Sequence, residues 1–236
     1  MSETFKPLRT SIAEALQRPG AIWILLANAV PVAGVLFFGW QAFALLIFYW
    51  IENVILGVFN VLKVAVSGFT KAGNVKLLTL FLIPFFCIHY GIFCYVHGMF
   101  LIAVLTIAGA IHDGSVITPE SFDLLPRVWH ALRSDADLSF SVVVLVVVQL
   151  FSFAVMWLGM EKWRDTNPMK QMLEPYGRIV ILHLTIFIAC IPVIAIGQAQ
   201  IGVLVLALMK CGLELGLPQF SFGLDKVPDE LNLPDK

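Results

Sequence analysis

The sequence predicts an all-α membrane protein, a six-helix transmembrane bundle with short amphipathic helices at its interfaces. Three observations predict it. The chain is 59% hydrophobic and only 13% charged, where a soluble domain is about 45–50% apolar and about 25% charged, and its mean hydropathy is +0.90. The apolar residues gather into long runs, each near the roughly 20 residues that cross a bilayer as a helix. The basic residues fall on alternate connections between those runs, as the positive-inside bias requires.

The elements follow in order. Residues 1–20 carry Glu3, Lys6, Arg9, Glu14 and Arg18 ahead of any apolar run, so they are not expected to act as a secretory signal. Leu8, Ile12, Ala15 and Leu16 recur at helical spacing opposite those charges, which predicts a surface amphipathic helix ended by Pro19-Gly20. The transmembrane domain is expected over residues 21–217, with spans at 21–38, 42–66, 75–108, 138–160, 177–197 and 199–215. Span 3 is longer than a core of about 30 Å needs, so a kink near Pro84 or Gly91 is expected. Between spans 3 and 4, Thr118-Pro119-Glu120 resembles a helix start, followed by the apolar stripe Phe122, Leu125, Val128, Trp129 and Leu132. Residues 119–133 therefore read as an outer interfacial helix, with Trp129 at headgroup level. Residues 161–176 read as a charged loop and 218–236 as a cytoplasmic tail.

Lys6, Arg9 and Arg18 precede span 1. Lys63, Lys71 and Lys76 flank the connection of spans 2 and 3, and Lys162, Arg164, Lys170 and Arg178 that of spans 4 and 5. The short turns after spans 1 and 5 hold no basic residue. The bias predicts both termini inside a bacterial inner (cytoplasmic) membrane. The lipid bilayer is the expected partner, with a small apolar or ionic ligand and a homo-oligomer as further candidates. A net charge of -1 with no basic tract gives no reason to expect nucleic acid. The cysteines Cys87, Cys94, Cys190 and Cys211 sit singly in apolar segments without a C-x-x-C pair and read as buried free thiols.

Ionisable groups inside spans are costly unless paired or hydrated, so each is a functional candidate. These are Glu52 on span 2, His89 and His97 on span 3, His183 on span 5, and Lys210 and Glu214 on span 6, with the amides Asn53 and Gln149. At about 1.5 Å per residue, Glu52, His89, His183 and Lys210 reach compatible depths, with His97 roughly 12 Å outward of His89. The first reading is a bound metal ion or haem, with transport or small-molecule binding, a structural bundle and an intramembrane hydrolase as alternatives. Glu52, His89, His183 and His97 are candidate ligands for a transition metal (zinc, iron or copper) or, through two imidazoles, a haem. No i,i+3 or i,i+4 ligand pair supports this. Lys210, Glu214, Asn53 and Gln149 would balance charge or relay protons. The same set suits proton-coupled transport or small-molecule binding, with Pro31, Pro84 and Pro192 inside helices to permit gating. It also suits a purely structural charge-compensated bundle. An intramembrane hydrolase would lack both G-x-S-x-G and H-E-x-x-H. The aromatics around Glu52 and His89 suit core packing or an aromatic-lined cavity.

FYWIEN at 48–53, HYGIFCYVHGMF at 89–100 and K-x-x-x-E at 210–214 together resemble a family of bacterial six-span integral membrane proteins, a domain of unknown function. In that family the last span more often carries K-x-x-x-D followed by a His. Here Glu214 takes the Asp position and residues 217–219 contain no His. The resemblance implies that Glu52, His89, His97 and Lys210 form one shared feature, and it implies no activity.

Overall fold

The computed structural model describes residues 42–112 and 114–196, with single positions at 37, 201, 204, 205, 208 and 209. The amphipathic segment 1–20, all but one residue of span 1, most of span 6 with Lys210 and Glu214, and the tail lie outside the described residues.

Helix α1 (Ala42–Phe69) and helix α2 (Asn74–His112) form an antiparallel hairpin. The connection is short because Gly73 takes φ +69, a backbone conformation that costs glycine little. Gly68 lets the two helices close at this end: a Cβ there would collide with the Thr79 side chain. Further along, Gly57 admits the Tyr90 ring and Gly98 admits the Trp50 indole. These three approaches set one register over the hairpin. α2 passes through Pro84 as a single helix, so the proline does not divide the predicted span.

The stretch between spans 3 and 4 is two pieces. A 3-10 turn (Pro119–Phe122) follows Thr118, which makes a capping box with Ser121. Asp123 is extended, and helix α3 (Leu124–Ser134) starts after it. α3 buries Leu124, Val128 and Ala131, a stripe at helical spacing, and leaves Trp129 exposed with the Arg133 guanidinium 4.5 Å from its ring centre. Asp135 then caps helix α4 (Ala136–Phe151), accepting from the Leu138 N–H at 2.9 Å. α4 continues as a π-helical segment (Ser152–Gly159).

Helix α5 (Pro168–Ile196) begins nine residues before the expected span, inside the predicted loop. The cause is local. Asn167 accepts from the Met169 N–H at 2.9 Å, and Pro168 occupies the first position, where its missing N–H costs nothing. α5 packs on both α1 and α2, while α4 packs on α1. Lys71 Nζ donates to the Thr166 carbonyl at 2.8 Å, and His112 Nε2 lies 3.1 Å from the Ile194 carbonyl. These two contacts tie opposite ends of the hairpin to the two ends of α5, so α2 and α5 run parallel.

Among the described residues the fold is all helical, and three helices are long and apolar enough to cross a membrane: Ala44–Phe69, Asn74–His112 and Ala136–Gly159. Only 11% of the apolar stretch of the last is buried. Phe140, Val143, Val147 and Phe151 on it are exposed, as are Leu77, Phe81, Ile88 and Ile92 on α2. Apolar faces of this extent suit lipid as solvent. Cys94 is a buried free thiol as expected, whereas Cys87 is exposed on the outer side of α2.

Candidate functional site

The site is organised by the α1–α2 hairpin. Gly57 faces Tyr90 and Trp50 faces Gly98, so this register sets Asn53 opposite Cys94 and Glu52 opposite Tyr95. His97 is two residues from that level, about 3 Å at 1.5 Å per residue. His89 is six residues away in the other direction, about 9 Å. The structure thus groups Glu52 with His97 in depth and sets His89 nearer the α1–α2 turn.

The faces differ as well. Glu52 is half-buried and shares its α1 stripe with Phe59, seven residues on, which packs on Phe153 at 6.0 Å between ring centres. That stripe faces α4. His97 is 3% exposed and shares its α2 stripe with Tyr90, seven residues back, on the side toward α1 and α5. Trp50 closes the same level, its indole N–H donating to the Cys94 carbonyl at 2.8 Å. Only a glycine at 98 leaves room for this, because a Cβ would lie 2.7 Å from both the indole nitrogen and Leu124 Cδ2.

His89 is exposed and belongs to a second group. Its Nδ1 lies 2.9 Å from the Tyr176 hydroxyl. The imidazole stacks on Phe85 at 5.3 Å and meets Phe93 edge-on at 5.1 Å. Tyr176 also meets Phe86 and Tyr90 edge-on, and the Tyr90 hydroxyl donates to the Asn53 carbonyl at 3.1 Å. The Asn53 amide donates back to the Tyr49 carbonyl at 2.7 Å, a bond within its own helix. Gln149 is half-buried on α4.

His183 lies on α5, and its side chain is outside the described residues. Its backbone is seven residues beyond Tyr176, about 10 Å, and because α5 runs parallel to α2 this brings it within a turn of the level of His97. Among the described residues no three of His, Cys, Asp or Glu gather where they could hold a metal ion. Of the expected ligands Glu52, His89, His97 and His183, the first three are split over two depths and two helix faces.

A family model matches residues 10–227. The chain belongs to DUF6498, a family of unknown function. No curated protein and no solved structure matches it. For this DUF6498 chain, membership supplies no residue roles, so the site rests on its geometry.

Sequence reasoning missed a third polar group. Gln171 Nε2 donates to Asn60 Oδ1 at 2.8 Å, and also to the Glu174 carboxylate. Asn60 is 4% and Gln171 8% exposed. Asn60 stands inside an apolar run of α1, where an amide needs a cross-helix partner; that was the available signal. Gln171, Glu174 and Tyr176 were hidden because the charges of residues 161–176 read as a loop, although Asn167-Pro168 starts a helix there.

Proposed function

We propose that this DUF6498 chain is a six-span protein of a bacterial inner membrane, both termini cytoplasmic, that moves protons through its bundle together with a small polar or ionic solute. The observation that carries this reading is the polar layer of Glu52 and buried His97 at one depth, with the His183 backbone within a turn of it. A carboxylate and imidazoles at one level inside apolar helices are the residue set of proton relays. His89 with Tyr176 supplies a second titratable position about 9 Å nearer the α1–α2 turn. Lys210 and Glu214, one helical turn apart on the last expected span, would balance the charge of Glu52.

The test is proton flux in proteoliposomes that hold a trapped pH-sensitive dye, with the membrane potential clamped. The wild-type protein is expected to dissipate an imposed pH gradient faster than empty vesicles. Glu52→Gln and His97→Gln are expected to return the rate to that of empty vesicles while the protein stays folded. Wild-type vesicles that match empty ones would overturn the reading.

A second reading, a bound transition metal or haem, would draw on His97 of α2 and on His183, whose backbone lies within a turn of its level on α5, with His89 a separate single ligand nearer the α1–α2 turn. His89 Nδ1 at the Tyr176 hydroxyl leaves Nε2 as the ring position for a ligand. Elemental analysis and a visible spectrum of the purified protein separate the readings: a stoichiometric metal or a Soret band favours this one.

A further inference from the structure

Asn60, Gln171 and Glu174 make a polar cluster between α1 and α5, on the α1–α2 turn side of the layer described above. Gln171 uses its amide N–H groups on Asn60 and Glu174. The Asn60 amide nitrogen is fully buried and meets no hydrogen-bond acceptor among the described residues. A buried amide N–H left unsatisfied costs about 1–3 kcal/mol, so something should accept from it. The backbone provides a second open group at the same place. Residue 175 is a proline, which has no N–H, so the Gln171 carbonyl cannot receive its usual i+4 helical bond. An open donor on α1 thus stands beside a carbonyl on α5 that lacks its usual i+4 partner, on the two residues that already bond across the interface.

We infer that Asn60 and Gln171 hold a buried water molecule, and that this water, with Glu174, is the entry by which protons reach the Glu52 and His97 layer. A buried water typically makes about three hydrogen bonds. Here it accepts from the Asn60 amide and donates to the Gln171 carbonyl and to the Glu174 carboxylate. Glu174 is exposed and so meets solvent. It takes a proton from bulk water, gives it to the bound water and returns to the carboxylate. The bound water passes one of its other protons to the Tyr176 and His89 pair, whose level lies between this cluster and the layer, and is neutral again. Lys63 on α1 and Lys170 on α5 are the neighbouring charges, one turn from Asn60 and from Glu174 respectively, and both are opposite in sign to the carboxylate. Among the described residues, Trp50, Gly98 and Leu124 pack together at the level of the layer, on its side away from this cluster. The transport part of this inference rests on the proposed function; the water site does not.

The experiment uses the full chain and the double variant Asn60→Leu/Gln171→Met, which makes the cross-helix pair apolar. Two readouts are taken. The first is X-ray radiolytic footprinting in water, where hydroxyl radicals form from bound waters as well as bulk. Met172, beside Gln171 and 4% exposed, is shielded from bulk. Its oxidation is expected in the wild type and lost in the double variant. Oxidation that is absent in the wild type, or equal in both, overturns the water site. The second is the proton flux assay. With Glu52-dependent flux present, the double variant and Glu174→Gln are each expected to lose most of it at unchanged thermal stability. Flux that survives both overturns the entry role. If wild-type flux does not depend on Glu52, the transport reading fails and the footprint still decides the water site.

Discussion

Gly98 holds the closest approach in the half of the hairpin away from its turn, where the Trp50 indole and Leu124 both crowd the place a Cβ would take. Gly98→Ala is therefore expected to cost about 1–3 kcal/mol, as overpacking does, read as a lower melting temperature in detergent. Gly91, on the same helix, has nothing within 4 Å of the place a Cβ would take, and it gives the control: Gly91→Ala should be neutral or gain about 0.5–1 kcal/mol. At the second polar group, Tyr176→Phe keeps the ring contacts and removes the hydroxyl 2.9 Å from His89. The expected loss is about 1 kcal/mol, and a double-mutant cycle with His89→Phe should recover it as coupling. The candidate residues were legible as individual polar positions in apolar runs. Their grouping was not, because depth counted along separate spans carries no information about which helix faces meet. That is why the sequence paired Glu52 with His89, whereas the register of Gly57 on Tyr90 sets Glu52 level with His97.

Among the elements, the hydrogen bonds that join the 3-10 turn and α3 to α2 centre on one side chain. Arg127 donates to the Thr106 hydroxyl at 2.8 Å and to the Ser121 carbonyl at 2.7 Å, and Thr106 itself donates to that carbonyl at 3.0 Å. Arg127→Met leaves the buried Thr106 hydroxyl and the Ser121 carbonyl with fewer partners. Limited proteolysis is expected to cut residues 114–123 faster in this variant while the rest of the chain keeps its resistance. The amphipathic stripe of α3 was readable because Leu124, Val128 and Ala131 recur at helical spacing. The break at Asp123 was not, since it comes from backbone geometry that periodicity does not report. α5 shows the opposite case: Asn167-Pro168 is a helix start in plain sequence terms, masked by the surrounding charges.

At the scale of the whole molecule, membrane character was fully legible, because it follows from composition and run length alone. The arrangement of helices was not, because it depends on small residues at a few crossings. Reporter fusions test the orientation: an alkaline phosphatase domain after residue 115 should be active, and one after residue 166 or at the C-terminus inactive, with the reverse pattern contradicting the charge bias. The proposed function stands or falls on one polar layer that carries protons. The most direct measurement compares proton flux with thermal stability for Glu52→Gln in proteoliposomes. Flux is expected to fall to the empty-vesicle rate with the melting temperature retained. A lowered melting temperature with wild-type flux would show that Glu52 only holds the helices together, and would contradict the proposed function.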